Sequence, residues 1–374
     1  MTLRAIVIGA GWAGEGHIVG LRDAGVEVVA LCGRTPEPAY KRAAQMGIEQ
    51  VRFDWRAAIA EFRPEIVTIA TPAVDRREMV QFAAQHGCHV VCEKTLATNA
   101  ADARAMVAAV EQAGVKHGYA ATNLYTPTIL YTQTLLAQGI IGKVYEIESM
   151  AHFSVQFPYF WGLQLDQGGG MLNNYFTQKL AQVLRASGGV VQAAMGETHS
   201  MRNRVPVGPP IHDMRELFGL LATWDPAQAT EWRMVDGDQS YTVITQLRMA
   251  DGTLAIALFR GSSLGVTPQP EMLAFHGETG SLVMSGRLGM DERLQLFVKT
   301  RQSWEEVPIP SEIIAALPSS PDPVQGCWNQ FFREFAAHVR GEAYTGYPTF
   351  HDGCTAVEVI EIARGGRGWT ALKP

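Results

Sequence analysis

Three glycines near the start of the chain and one charged pair further on have the types and spacing to do chemistry. "AIVIGAGWAGEGH" sets Gly9, Gly11 and Gly14 at G-x-G-x-x-G spacing, with Trp12 and Ala13 inside it, after a strand-like run and at the start of a helix-like one. Glycine serves three purposes there: a tight turn, close approach of the backbone to a pyrophosphate, and close helix packing. The free N–H groups of the helix start then hold the phosphates. That chemistry is dinucleotide binding. The charged pair is Glu93-Lys94, at the tip of the apolar run in "HVVCEK". Charged side chains are seldom buried unless paired or used, so such a strand delivers them to its end. Ligands of an open parallel sheet bind outside the carboxyl ends of its strands, which places Lys94 where a nicotinamide would lie. An ammonium there has a lowered pKa and stabilises a developing alkoxide.

Positioning these groups takes a covered sheet. Near-continuous apolar runs at 5–8, 26–31, 66–70, 90–92 and 116–119 alternate with helical spacing at 14–23, 36–46, 76–86 and 100–113. The pattern predicts an α/β fold whose first domain, residues 1–122, is a doubly wound parallel sheet. The second strand ends in Cys32-Gly33-Arg34-Thr35, without the acid that usually receives a free ribose 2′-hydroxyl. Arg34 can pair with a 2′-phosphate and Thr35 can donate to it, so NADP(H) is expected to be preferred, with NAD(H) possible. Residues 123–374 change character. A helix at 127–138 precedes strand-like runs at 144–153, 190–201, 231–235, 240–249, 253–259, 272–276, 281–284 and 294–299. Several alternate, and turn pairs such as Asp251-Gly252 join them, which predicts a large, mostly antiparallel open sheet. A proline-rich loop at 308–323 leads to helices at 325–340 and 351–364.

The glycine fingerprint, "IATP" with Ala70, Thr71 and Pro72, "GCHVVCEK" and "GGGML" occur in the order and spacing of one family. The chain resembles the glucose-fructose oxidoreductase/inositol dehydrogenase (Gfo/Idh/MocA) family over essentially its full length. The resemblance implies a Rossmann domain followed by an α/β domain whose open sheet supports substrate binding and oligomer contacts. It also implies NAD(P)-dependent hydride transfer on a sugar, polyol or related carbonyl compound. Ala70, Thr71, Pro72 and Glu93 would join the glycine loop and Gly33 around the dinucleotide, and Lys94 would contact the substrate oxygen and polarise or deprotonate it. The family's E-K-P reads Glu93-Lys94-Thr95 here. Its helix-borne aspartate and histidine read Asn174 and Gln178, still one turn apart but unable to exchange a proton near neutral pH. Asn174, Thr177, Gln178 and Arg185 could equally form a polar stripe facing water. Arg76 stands where a histidine is frequent, and Leu124 where arginine is common.

With that pair neutral, the proton falls to Lys94, to the phenols of Tyr125 or Tyr175 if neighbouring cations acidify them, or to His152 or His212. In "FPYFWGLQLD", Tyr159 and Trp161 can line a sugar or ring pocket, or pack an interface. The substrate set expected is therefore Lys94, Tyr125, His152, Trp161, Asn174 and Gln178. Reduction of a C=N or C=C bond, or a non-catalytic cofactor-binding regulator, are the competing functions. The net charge of −6 over 374 residues, without a basic run, offers nothing to nucleic acid or anionic membrane. Five cysteines without a CxxC pair point away from disulfides and metal and toward a cytoplasmic protein. The alternating strands carry apolar residues on both faces, which predicts a homodimer or homotetramer formed through the second sheet.

Overall fold

The computed structural model describes residues 2–211, 214–265, 267, 269–287, 291–366 and 368–372. Strands too apolar to face water alternate with helices that each bury one stripe: β1 (Arg4–Ile8), α1 (Trp12–Asp23), β2 (Glu27–Cys32), α2 (Pro36–Met46), β3 (Val51–Arg52), α3 (Trp55–Phe62), β4 (Ile66–Ile69), α4 (Arg76–Gln85), β5 (His89–Glu93), α5 (Ala100–Gln112) and β6 (His117–Ala120). They close into a parallel sheet in the order β3-β2-β1-β4-β5-β6. The order reverses between β1 and β4, and that switch point opens the crevice in which such folds bind dinucleotides. The periodicity missed β3, whose two residues pair with Leu31 and Cys32, and α3, whose start is capped by the Asp54 carboxylate.

The remaining elements are α6 (Pro127–Ala137), β7 (Val144–His152), α7 (Thr177–Ser187), β8 (Val190–His199), β9 (Arg204–Pro206), α8 (Met214–Thr223), β10 (Trp232–Met234), β11 (Ser240–Arg248), β12 (Leu254–Ser262), β13 (Met272–Gly277), β14 (Gly280–Ser285), β15 (Arg293–Val298), β16 (Ser303–Glu306), α9 (Ser311–Ala316), α10 (Pro323–Arg340), α11 (Phe350–Arg364) and β17 (Thr370–Ala371). Nine of these strands form one sheet, β16-β15-β14-β13-β7-β12-β11-β8-β17, in which β7 and β12 run parallel and the other pairs antiparallel. The expected strand near 231–235 lies outside it. It is β10, paired with β9 in a separate two-stranded ribbon that brackets α8.

Alternation along β7 and β12 turns Ile147, Ser149, Ala151, Ala257 and Phe259 inward, under α7, where Phe176 packs edge-on against Phe259 at 5.1 Å. The last two helices return to the first sheet. On α1, Gly16 and Gly20 leave no room for a Cβ, which would lie 2.2 Å from Trp328 and 2.5 Å from Phe332 of α10. Helix α11 packs on α5 and β6. No helix among the described residues is long and apolar enough to cross a membrane.

Candidate active site

The glycine loop runs hard against the end of β4. Gly9 adopts φ +121°, and a Cβ there would lie 2.7 Å from the Ala70 carbonyl oxygen. A Cβ on Gly14 would meet the Gly9 carbonyl oxygen at 1.9 Å. Gly11 caps α1 with no side-chain hydrogen bond, so the first N–H groups of the helix are left for a phosphate. Thr71 and Pro72 continue from Ala70 at the switch point, half-buried. Trp12 is held between Trp328 (ring centroids 5.1 Å apart) and Phe218 of α8 (6.3 Å), and Arg215 of α8 binds Glu15 at 2.7 Å. At the end of β2, Gly33 abuts Ala39, Arg34 is exposed, and Thr35 caps α2 without using its hydroxyl. These residues fit a dinucleotide: the cradle excludes side chains, and an uncommitted cation and hydroxyl stand where the ribose would lie.

Glu93 and Lys94 emerge from β5 at the same crevice. The Glu93 carboxylate is buried, yet each oxygen is bonded. Oε1 accepts from Trp328 Nε1 (3.1 Å) and His17 Nε2 (3.3 Å), and Oε2 from the Lys94 backbone N–H (2.9 Å). Burial pushes its pKa up, but the His17 hydrogen bond and the charges of His17, Lys94 and Arg76 outweigh that and leave it lowered. Lys94 Nζ donates to the main-chain oxygen of Asn174 at 3.1 Å. Burial lowers the lysine pKa, Glu93 works against it, Arg76 adds to it, and the net shift is downward.

Arg76, which sequence comparison marked only as a departure, is a staple. Its Nε donates to the Thr71 carbonyl (2.9 Å), and its Nη1 bonds the carbonyls of Glu93 and Thr95. The ends of β4 and β5 are thereby tied together. Thr95, at the place of the family's proline, follows a cis peptide and donates its hydroxyl to the Asn173 carbonyl at 2.8 Å. The first domain is thus joined to the helix that carries the second signature.

That helix begins with a π-helical turn at Leu172–Phe176. The backbone partners of its two amides fix their polarity without ambiguity. Asn174 Nδ2 donates to the Gly170 carbonyl (3.0 Å) and reaches that of Gly162 (3.5 Å), leaving Oδ1 as an acceptor. Gln178 Oε1 accepts from the Asn123 N–H (3.2 Å), leaving its NH₂ as a donor. The pair is therefore an oriented acceptor and donor one turn apart, and the main chain of Asn174 holds Lys94. Asp238 seats the turn. Its Oδ2 accepts from the Leu172 N–H (2.7 Å), and its Oδ1 pairs with Arg364 Nη2 (2.6 Å) and Nε (2.9 Å).

Other expected residues lie elsewhere. Tyr125 is buried with its hydroxyl on the Gly346 carbonyl (3.2 Å), and burial drives its pKa up, so it is not an acidified phenol at Lys94. Tyr175 is likewise shifted upward, by burial and by Glu271. His152 pairs with Ser262 and, by strand alternation, shares the outer sheet face with Glu146, Glu148 and Met150, away from α7. Leu124 is core. Trp161 is 37% exposed beside Gly162, on the segment that Asn174 contacts, while Tyr159 packs under Arg233 of β10. His212 lies outside the described residues. His17, Trp328, Asn173, Asp238 and Arg364 were missed: each acts through a partner far away in sequence.

Residues 3–120 match the family GFO_IDH_MocA, an oxidoreductase family with an NAD-binding Rossmann fold. A stretch of 140 residues is 36% identical to a D-apiose dehydrogenase of Paraburkholderia graminis, and one of 109 residues is 33% identical to a levoglucosan dehydrogenase of Pseudarthrobacter phenanthrenivorans. These stretches span 37% and 29% of this chain, and 37% and 28% of the two relatives' own length. In three dimensions the likeness runs end to end. A levoglucosan dehydrogenase without ligand superposes with a TM-score of 0.82 at 20% identity, over 100% of this chain and 99% of that one. The same enzyme with NADH and levoglucosan gives 0.80 at 20% identity, over 99% of both chains. Residues 3–120 thus match the dinucleotide-binding domain of this oxidoreductase family, and the whole chain has the fold of the levoglucosan dehydrogenase structures.

Proposed function

We propose that the protein is a nicotinamide-dependent oxidoreductase, preferring NADP(H), that interconverts a carbinol and a carbonyl on a sugar, polyol or related small molecule. Lys94 carries the reading: it is a desolvated ammonium at the carboxyl end of β5, anchored on the π-helical turn and fixed from behind by Glu93. Support comes also from the relatives named for sugar substrates and from a neighbouring fold solved with NADH and a sugar derivative. The bound nicotinamide supplies or takes up the hydride. Lys94 gives a proton to the carbonyl oxygen in reduction and removes it from the hydroxyl in oxidation. The Gln178 NH₂ donates to an oxygen of the substrate, and Asn174 Oδ1 accepts from a hydroxyl. Since neither amide titrates, reduction of an imine or C=C bond is the second reading. The test is nicotinamide absorbance on mixing the protein with NADP(H) and a panel of sugars, polyols and imines. Turnover of a sugar or polyol is expected. Binding of NADP(H) without turnover of any compound would leave a non-catalytic regulator instead.

The lowered Lys94 pKa gives a signed pH dependence. Oxidation needs the neutral amine, so kcat/KM for oxidation rises with pH, through an ionisation below the ordinary lysine value; reduction, which needs the ammonium, falls through the same ionisation. Initial-rate profiles in both directions check this, and flat profiles would remove Lys94 from the proton step. For the cofactor, Arg34→Ala is expected to weaken NADP(H) roughly tenfold, the scale of one charge-assisted hydrogen bond, and to leave NAD(H) unchanged. Fluorescence titration with both nucleotides decides it; equal losses would mean that Arg34 does not read the 2′-phosphate.

A homo-oligomer is also expected. The outer face of the second sheet presents Ile256 (38% exposed) with Ile244, Leu258 and Met150 half-buried around it, bordered by Glu146, Glu148 and Arg260. An apolar centre within a charged rim is the composition of a protein interface. Light scattering that reads the monomer mass of 40.9 kDa at micromolar protein would refute it.

A further inference from the structure

The Gln178 amide is one end of a hydrogen-bonded chain that runs back through α7 to the second sheet. Its Oε1 accepts from the N–H of Asn123, in the turn between β6 and α6, at 3.2 Å. The carbonyl of the same Asn123 accepts from Gln182 Nε2 at 2.9 Å. Gln182 lies one turn beyond Gln178 and is 2% exposed, and its Oε1 accepts from Lys179 Nζ at 3.1 Å. Lys179, also buried, is paired with Glu271, just before β13, at 2.6 Å. Glu271 accepts from the Tyr175 phenol as well. The direction of every link follows from its ends. An ammonium only donates, and a main-chain carbonyl only accepts. Gln182, held between the two, therefore has a single orientation, with its oxygen toward Lys179 and its NH₂ toward Asn123. Flipping it would set Nε2 against Nζ and Oε1 against a carbonyl. Asn123 is in turn held at both its carbonyl and its N–H, and the N–H decides which end of Gln178 is left over. Without that bond the Gln178 amide is free to present either its NH₂ or its oxygen.

We propose that Lys179 is a positioning residue: through Gln182 and Asn123 it holds Gln178 as a donor, and so selects a substrate that offers an acceptor oxygen at that point. This rests on the function proposed above, in which the Gln178 NH₂ meets the substrate. Lys179 acts without touching the substrate itself. Stability alone does not account for the charged end of the chain, because apolar residues of the same volume usually match or exceed a buried ion pair. What the pair adds is one fixed arrangement of the amides it bonds, in a buried network whose members are satisfied together.

Two measurements on the full-length protein test this, one of them without any substrate. Hydrogen exchange followed by mass spectrometry reads the peptide that spans Asn123. Lys179→Met, Gln182→Met and Gln178→Ala are each expected to speed its exchange severalfold, and Lys94→Ala to leave it unchanged. Unchanged exchange in both Lys179→Met and Gln182→Met overturns the proposal, whatever the protein turns over. The second measurement is a double-mutant cycle on kcat/KM with a substrate from the panel. Lys179→Met is expected to lose about threefold to tenfold in the native background, the range of one neutral hydrogen bond, and nothing further in Gln178→Ala. The ionisation assigned to Lys94 should stay in place in the pH profile. Equal losses in both backgrounds, or a displaced ionisation, would mean that Lys179 supports the fold of α7 instead of setting Gln178, and would overturn the proposal. Should Lys179→Met fold poorly because Glu271 loses its partner, Gln182→Met leaves the ion pair whole and carries the same expectations. Faster exchange without turnover of any compound would retain the linkage from Lys179 to Gln178 and strike the function it serves.

Discussion

Lys94→Ala is expected to lower kcat/KM by ~10²–10⁴, the range of a lost general acid or base, while NADP(H) affinity stays within a few-fold. The proposed mechanism puts the proton on Lys94, whose pKa is lowered by burial at the carboxyl end of β5. Glu93 beside it is spent on three hydrogen bonds and stays ionised, and Asn174 and Gln178 are neutral. Gln178→Ala should cost only one hydrogen bond, ~0.5–1.5 kcal/mol, because a fixed NH₂ donor orients an oxygen but moves no proton. Gln178→His puts a titratable ring at the family's position and raises polyol activity if the pocket geometry is otherwise that of a dehydrogenase. Steady-state kinetics paired with fluorescence titration of the cofactor separates chemistry from binding. If Gln178→Ala abolishes turnover as fully as Lys94→Ala, the amide is essential in the transition state and Lys94 does not act alone.

Asp238→Ala is expected to cost ~3–5 kcal/mol of stability, the scale of a buried ion pair broken from one side. The carboxylate has a side-chain exposure of 3%, and its removal leaves the Arg364 guanidinium only the Gly169 carbonyl and the Leu172 N–H no acceptor. Asp238→Asn keeps an acceptor for Leu172 and should lose less. The readout is the urea midpoint at constant m-value, followed by kcat of the folded fraction. That second measurement tests positioning: the turn seated by Asp238 presents Asn174 and the carbonyl that anchors Lys94. A stable Asp238→Ala protein with normal kcat would show that the π-helical turn holds itself.

What could be read from the chain was local. The glycine loop, the apolar strands and the charged tip of β5 each carry their own signature within a dozen residues, and the parallel sheet follows from them. Two residues of β3 are too few to show a period, and α8 lies in a stretch whose turn residues obscured it. The site was half legible. The spacing of Asn174 and Gln178 could be read, but their donor and acceptor directions depend on Gly170 and Asn123, which no spacing reveals. Arg76 looked like a lost histidine because its acceptors are main-chain oxygens, and every residue has those. Trp328 stands 235 residues from the Glu93 it bonds, beyond any local pattern. Tyr125 and His152 failed for a different reason: a phenol or imidazole near a motif in sequence is still free to be core, or to point to the wrong face of a strand.

The return of α10 onto α1 bears on how the chain is made. Glu93 leaves the ribosome early, but the indole that bonds it and the rings that cover Gly16 and Gly20 are made more than two hundred residues later. Until then the first sheet carries a buried-type carboxylate short of one donor and a helix whose small-residue stripe faces water. Domains usually settle in order of synthesis. Here the first sheet reaches the packing described only once α10 has been made, so the cofactor crevice matures after every strand except β17 has been synthesised.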